Sequence, residues 1–279
     1  MRRIDTLLVR RAELPVVGSP AEWRAYQEAT IRRLRELTFR HIPRDLEPRV
    51  REWRADGESG GKSFATGVFD THDGLTLRVK TTRPQGANWP LPTVAFAVQA
   101  DARSTFAGGG SSRPGLHQEF ASAALEVRNT GATSVGPGYL WTLRRVYPML
   151  GQTLPERQVN DLLAGLALIR CEASTGRLSL YGQGSTAPLA IYAAILDPQV
   201  AEVILANPPE SHADLQTPEF LGILRVGDLP QNLALVFPRP ITFIGAIPAA
   251  YEWTRQAYQK LGAGDRVRVI ANVGQWKPR

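Results

Sequence analysis

The sequence predicts an α/β protein with a mostly parallel sheet, helices on both faces of that sheet, and an N-terminal helical extension. Two observations carry this prediction. Residues 64–69 and 75–80 alternate apolar and polar side chains around Asp73-Gly74, a pattern that indicates an antiparallel hairpin. Strand-like and helix-like segments then alternate to the end of the chain, an order typical of parallel strands joined by helices.

We place the helical extension at residues 1–60 and the α/β domain at residues 61–279. Ser19 opens the extension helix as its N-cap, and Glu22 follows at the spacing of a capping box. Apolar residues then recur at helical spacing as far as Leu37, which predicts a helix with one buried face.

Buried strands and amphipathic helices alternate through the α/β domain. Residues 93–98 form a continuous apolar run, the pattern of a strand that is covered on both faces. The other predicted elements are strands at 121–127, 177–181, 200–205, 241–245 and 266–273, and helices at 140–150, 157–170, 187–196, 229–236 and 249–261.

The net charge of +7 is concentrated at the N-terminus. Residues 1–54 hold 13 arginines and 8 acidic residues, a net of +5, which leaves +2 for residues 55–279. No basic groove with interleaved aromatic residues is visible, so we predict no nucleic-acid partner.

The single cysteine, Cys171, excludes an intrachain disulfide. No apolar run approaches the roughly 18 residues of a membrane span, so we predict none. The first residues are a poor match to a signal peptide, because the apolar run after the basic start is short and is interrupted by Asp5. We therefore expect a cytoplasmic protein if Met1 is the true start, and a secreted one if Met1 is an internal start of a longer chain.

The clearest candidate for a functional site is a strand–turn–helix unit at residues 177–196. The turn has the sequence GQGST at 182–186 and separates the predicted strand from the predicted helix. A strand, a tight turn with small residues and a helix form the nucleophile elbow of serine hydrolases. The central position of that turn, where an elbow carries its nucleophile, is Gly184.

Three longer stretches share their pattern with one superfamily. Residues 126–134 are similar to a strand followed by an RGTG-like loop, and residues 159–209 to the run from the pre-elbow helix to the next strand. Residues 227–230 with 238–242 are similar to the segment that leads into the following strand. The chain thus resembles the α/β-hydrolase superfamily, and more narrowly its acetylxylan-esterase and prolyl-oligopeptidase-like branch. The resemblance covers roughly residues 65–279 and implies an α/β-hydrolase fold.

The resemblance also implies positions for a catalytic acid and a histidine, and both lack the expected residue. The acid would follow the next-to-last strand, where no carboxylate occurs before Glu252. The histidine would follow the last strand, and His212 is the last histidine in the chain. We therefore predict a catalytically inactive protein with a binding or scaffolding role.

The predicted ligand is a small ester or carbohydrate. Backbone N–H groups at the start of the helix after the turn could bind an anion or a carbonyl oxygen. No histidine pair has metal-ligand spacing, so we predict neither a metal nor a cofactor. The residues predicted to line the cleft are Gln183, Gly184, Gln275 and Trp276, together with Ser185, Glu210 and His212.

Two alternatives stay open at this point. The first is an active carboxylic-ester hydrolase that uses Ser185 as nucleophile, His212 as base and Glu210 as the acid that orients it, since such sets are defined by geometry and not by order. The second is that the chain is the C-terminal domain of a longer hydrolase-like protein.

Overall fold

A nine-stranded sheet runs through the computed structural model, which describes residues 9–87, 90–98, 115, 119–173 and 175–279. The strand order is β1-β2-β3-β5-β4-β6-β7-β8-β9. In chain order the strands are β1 (Arg49–Ser59), β2 (Lys62–Asp70), β3 (Thr76–Pro84), β4 (Leu91–Ala97), β5 (Ala121–Leu125), β6 (Thr175–Gln183), β7 (Glu202–Ala206), β8 (Ile241–Ile244) and β9 (Val267–Ile270).

Strands β4 to β9 form a parallel block, and β1, β2 and β3 extend it as an antiparallel edge. β3 joins the block by pairing antiparallel with β5, whereas β4 pairs parallel with both β5 and β6. The predicted hairpin and the mostly parallel sheet are thereby confirmed. The carboxyl ends of the parallel strands meet at one edge of the sheet, and in open α/β sheets this edge carries the ligand sites.

Six α-helices lie within the described residues. They are α1 (Pro20–Leu37), α2 (Pro137–Met149), α3 (Leu154–Glu172), α4 (Ala187–Leu196), α5 (Leu229–Leu233) and α6 (Glu252–Lys260). The predicted capping box of α1 is confirmed, because the Glu22 N–H donates to Ser19 Oγ and the Ser19 N–H donates to Glu22 Oε2. Among the described residues no helix is both long and apolar enough to cross a membrane.

The region at residues 1–60 is not helical throughout, because β1 pairs antiparallel with β2 along most of its length. The predicted boundary between 60 and 61 therefore falls in the turn of the β1–β2 hairpin. Ten of the eleven β1 residues are exposed, and Trp53 is the half-buried exception. The strand thus has no apolar alternation, and its charged residues are typical of an edge strand.

Two faces of the sheet are packed differently. Most of the apolar residues that the described helices bury belong to one large cluster, which also contains Leu180 and Leu205 of the sheet. On the opposite face Val94, Ile204 and Trp276 form a smaller cluster, without a residue from the described helices. Most of the connection from β4 to β5 lies outside the described residues, so the position of helices is established for the first face only.

Candidate functional site

The strand–turn–helix unit has the shape that the sequence predicts. Strand β6 ends at Gln183, a single 3-10 turn spans Gly184–Thr186, and α4 begins at Ala187. Gly184 has a φ of +50°, a left-handed conformation that residues with a side chain rarely adopt. Gly184 therefore forms the apex of the turn at the carboxyl edge of the sheet.

Gly182 fixes the register of the turn. A Cβ at this position would lie 2.6 Å from the Ala187 Cα and 2.9 Å from the Ala190 Cβ, so only glycine lets β6 and α4 approach this closely. A register one residue later, with Ser185 at the apex, would place the bulky Gln183 side chain at the point of closest approach. The packing therefore assigns the apex to Gly184.

Thr186 holds the turn closed. Its Oγ1 accepts a hydrogen bond from the Gln183 N–H at 3.0 Å and donates one to the Gln183 carbonyl oxygen at 3.0 Å. The Gln183 side chain is exposed and accepts a hydrogen bond from the Tyr181 hydroxyl at 3.0 Å. Ser185 is exposed, and its side chain makes no hydrogen bond to the described residues.

The space above the apex is open. Apart from the two chain neighbours of Gly184, no atom of the described residues lies within 4 Å of the position that a Gly184 Cβ would take. Helix α4 starts three residues later, and the first N–H groups of a helix have no acceptor within the helix itself. The turn thus combines an unfilled position with the positive end of a helix dipole.

His212 lies in the loop after β7 and contacts the middle of α4. Its ring stacks on Tyr192, with centroids 5.6 Å apart, and its Nε2 is 2.5 Å from the Tyr192 hydroxyl. The Asn232 side chain donates to the same hydroxyl oxygen at 2.9 Å, so the hydroxyl hydrogen is directed at His212. His212 Nε2 therefore acts as an acceptor within the protein.

Burial lowers the pKa of His212 to about 4, and the opposing effect of the Asp228 carboxylate is smaller. Asp228 itself caps α5 and accepts hydrogen bonds from the Leu229 N–H at 2.8 Å, the His212 N–H at 2.7 Å and the Ser211 hydroxyl at 2.5 Å. These contacts tie the loop after β7 to the start of α5, whereas burial keeps His212 neutral.

Glu210 makes its hydrogen bond to the loop after β8. Its Oε2 accepts a hydrogen bond from the Ala250 N–H at 2.8 Å, which links the loop after β7 to the loop after β8. Within the described residues no hydrogen bond joins Ser185, His212 and Glu210 to one another. The structure brings each of them to the carboxyl edge of the sheet but gives His212 and Glu210 other partners.

The positions where the resemblance implies an acid and a histidine are also visible. Residues 245–251, after β8, contain no carboxylate, and residues 271–279, after β9, contain no histidine. Gln275 is exposed, and its Oε1 accepts from the Ala271 N–H at 3.1 Å. Trp276 is fully buried against Phe120, with ring centroids 5.0 Å apart, so it packs in the core and does not line an open cleft.

An ion-pair network that the sequence did not predict holds the loop after β5. Arg128 donates from its backbone N–H and its Nε to Asp161 Oδ2, both at 2.8 Å, and from its Nη2 to Asp161 Oδ1 at 2.7 Å. Asp161 is fully buried on α3, and Asp73 pairs with both Arg128 and Arg157. The available signal was an acidic residue inside a predicted helix whose neighbours are mostly apolar.

The same loop passes over a second buried acid. Glu126 accepts from the Ala132 N–H at 2.8 Å, and a Cβ on Gly131 would lie 1.6 Å from its Oε1. Gly131 also has a φ of +54°, so both the backbone conformation and the close approach of Glu126 require glycine there. Among the described residues no group of three or more histidine, cysteine or acidic side chains could hold a metal ion.

Solved structures with the same architecture include esterases. No protein-family model and no curated protein matches the chain. A candidate acetyl xylan esterase from Bacteroides fragilis matches with a TM-score of 0.72 and 15% identity, over 91% of this chain and 76% of that one.

Two further esterases match over nearly the whole chain. A glucuronoyl esterase from Solibacter usitatus has a TM-score of 0.65 and 11% identity, over 96% of each chain. An acetyl xylan esterase from Paenibacillus sp. R4 has a TM-score of 0.56 and 16% identity, over 94% of this chain and 92% of that one. At these identities the similarity establishes architecture alone. The parallel sheet, the tight turn after β6 and these neighbours together show that the chain has the α/β-hydrolase fold.

Proposed function

We propose that this protein is a catalytically inactive member of its fold that binds a small ester or carbohydrate ligand at the turn around Gly184. The observation that carries the proposal is the pairing of Gly182 with Gly184. Gly182 fixes the register by its close packing, and the apex two residues later carries no side chain. An elbow acts by presenting a nucleophilic oxygen at its apex, and Gly184 has none.

The surroundings of the turn support inactivity. A general base must have a free nitrogen within hydrogen-bond reach of the proton that it removes. His212 Nε2 accepts the Tyr192 hydrogen, and the pKa of His212 lies well below neutrality. Glu210 binds the Ala250 N–H and so does not orient His212.

The turn keeps the features that bind a ligand. The open space above Gly184 adjoins the N-terminal end of α4, where N–H groups attract a carbonyl oxygen or a carboxylate. The structural neighbours include esterases of acetyl xylan and a glucuronoyl esterase. Esters of sugars are therefore the ligand class to test first.

Ligand binding can be tested by thermal stabilisation with acetylated xylose and with methyl glucuronate. A ligand that binds only the folded state raises the melting temperature with concentration, in proportion to RT ln(1 + [L]/Kd). Gly184→Asn is the blocking variant, because asparagine tolerates a left-handed conformation and fills the open space. We expect stabilisation of the wild type and its loss in Gly184→Asn.

The matched control is Gly262→Asn, since Gly262 also has a positive φ and open space around its Cβ position. Equal stabilisation of wild type and Gly184→Asn would contradict binding at the turn. No stabilisation of any sample by either sugar ester would contradict the ligand class.

The second candidate function is an active ester hydrolase with Ser185 as nucleophile. The observation in its favour is the exposed Ser185 hydroxyl at the start of α4, which makes no hydrogen bond to the described residues. Hydrolysis of para-nitrophenyl acetate separates the two functions. Turnover that disappears in Ser185→Ala would support the hydrolase, and a rate equal to that of Ser185→Ala would support the inactive protein.

A further inference from the structure

A cavity of about 260 Å³ lies at the opposite end of β6 from the turn around Gly184. Thr175, the first residue of β6, lines it, and Gln183, the last, precedes the turn. At about 3.3 Å per residue the two ends of this strand are about 26 Å apart. The cavity is therefore separate from the site proposed above, and the inference drawn from it does not depend on that site.

Small residues create this cavity. Strands usually carry β-branched or aromatic residues, which would fill the space between the sheet and the end of α3. Five of the lining positions hold alanine or glycine instead, namely Ala55, Gly57, Ala65, Ala121 and Ala173. Trp53 and Phe64 form the aromatic part of the wall. The Trp53 Cε3 lies 2.5 Å from the position that a Cβ would take on Gly67, directly opposite on β2.

Hydroxyl and carboxylate groups surround this apolar wall. The lining includes Ser63, Thr81, Thr93 and Thr175. The Thr175 Oγ1 atom is buried and has no hydrogen-bond partner among the described residues, so a rotation about χ1 toward a ligand would break no bond seen there. A buried hydroxyl without a partner is uncommon, and a polar ligand in the cavity would supply what it lacks.

The charged residues of the lining disfavour an anionic ligand. Among the described lining residues the charged side chains are two carboxylates, Glu58 and Glu172, and one arginine, Arg83. The two Glu58 oxygens accept from the Ser63 hydroxyl and the Gln85 amide, whereas Glu172 makes no hydrogen bond or ion pair to the described residues. The exposed Glu172 carboxylate at the rim can accept a hydrogen bond from a ligand hydroxyl.

We infer that this cavity is a second binding site, and that its ligand is a neutral cyclic polyol of monosaccharide size. An aromatic wall takes the apolar C–H face of such a ring, and the surrounding hydroxyl and carboxylate groups take its hydroxyls. Drug-sized ligands occupy roughly 300–1,000 Å³, so a cavity of this volume fits a single small ring. The small residues leave room for that ring, and a ring hydroxyl would form a hydrogen bond with the Thr175 hydroxyl.

Ligand-observed NMR with D-glucose and D-xylose tests this inference on the full chain. Cyclohexanol has a ring of similar size with one hydroxyl, and glucuronate adds a carboxylate to the sugar ring. We expect both sugars to bind more tightly than either comparison compound, because the ring hydroxyls are recognised and the carboxylate is repelled. Equal binding of cyclohexanol, or no binding of either sugar, would overturn the proposed ligand class.

Two variants locate the binding. Ala65→Leu fills the cavity, and Thr175→Val removes the unpaired hydroxyl while keeping the shape of the side chain. We expect Ala65→Leu to weaken sugar binding about tenfold or more, a loss of about 1.4 kcal/mol. Thr175→Val is expected to weaken binding by a smaller factor, and it keeps the test valid if Ala65→Leu folds poorly.

The matched control is Val68→Leu, because Val68 lies on the same strand and does not line the cavity. Binding that is unchanged in Val68→Leu and weakened in both cavity variants supports the site. Sugar binding of wild-type strength in both Ala65→Leu and Thr175→Val would place the ligand elsewhere and overturn the inference.

Discussion

The framework of the strand–turn–helix unit and the apex of the same unit differ sharply. At Gly182 an added Cβ would meet backbone and side-chain atoms within 3 Å. At Gly184, two residues later, it would meet no atom of the described residues within 4 Å apart from its chain neighbours. The first glycine is required by packing, and the second occupies a position where a side chain would fit. The turn has the strand–turn–helix shape of an elbow, and Gly184 carries no side chain at its centre.

The contrast extends to the residues around the turn. Arg128 and Asp161 hold the loop after β5 through three hydrogen bonds in a buried setting, and Asp228 and Tyr192 hold His212. The polar side chains named above thus form hydrogen bonds that position the loops. Substitutions in this framework should therefore lower the free energy of unfolding far more than substitutions at the apex.

The largest effect is expected from Asp161→Ala. Removing one partner of a buried ion pair leaves the other charge uncompensated, and Asp161 is fully buried beside Arg128. We expect a loss of about 4 kcal/mol in the free energy of unfolding, measured by chemical denaturation. The control is Glu219→Gln at the exposed pair with Arg144, where a loss below about 1 kcal/mol is expected. Similar losses in both variants would remove the distinction between buried framework and exposed surface.

The next largest effect is expected from Gly182→Ala, with a loss of about 3 kcal/mol in the free energy of unfolding. The added Cβ collides with the Ala187 backbone, which cannot rotate away. Gly138→Ala in α2 is the matched control, since its Cβ would enter open space. Helix propensity makes that change neutral or stabilising by up to about 1 kcal/mol. A Gly182→Ala protein as stable as the wild type would show that β6 and α4 are not held at this distance.

The pH dependence of stability tests the setting of His212. Its pKa is lowered from 6.5 to about 4 in the folded protein, so the unfolded chain binds the proton first as the pH falls. The contribution of neutral His212 to the free energy of unfolding is therefore complete above about pH 6.5, and about 3 kcal/mol of it is lost as the pH falls from 6.5 through 4. His212→Gln should lose less stability than the wild type across this interval. Parallel stability curves for the two proteins would contradict a buried, neutral His212.

The smallest effect is expected at the apex itself. Gly184→Ser introduces a side chain at a φ of +50° into open space, for a cost of about 1–2 kcal/mol in the free energy of unfolding. Gly262→Ser carries the same strain far from the turn and should cost a similar amount. A loss at Gly184 as large as that in Gly182→Ala would show that the apex is as tightly packed as the framework.

Local patterns predicted the parts of the fold that depend on neighbouring residues. The bounds of α4 and the capping box of α1 follow from the sequence, because a cap, a turn and a helical face are properties of short segments. The edge strand β1 was missed because its residues are exposed on both faces and carry no apolar period.

Contacts between distant segments explain why the site could be predicted only in part. His212 meets a hydroxyl on α4 twenty residues away, and Arg128 meets an acid on α3 that no local signal connects to it. Trp276 is buried although it stands next to the exposed Gln275. The position of these residues in the sequence predicts that they lie near the site. Their partners depend on contacts between distant segments, which the sequence pattern does not show.

The central claim is that the turn around Gly184 presents no catalytic nucleophile, and fluorophosphonate labelling tests it most directly. Wild type and Ser185→Ala are incubated with the probe under conditions where circular dichroism shows both to be folded, and adducts are mapped by mass spectrometry. The proposed inactivity predicts no adduct at Ser185 in the wild type. An adduct at Ser185 that is absent from Ser185→Ala would contradict it and establish the protein as a serine hydrolase.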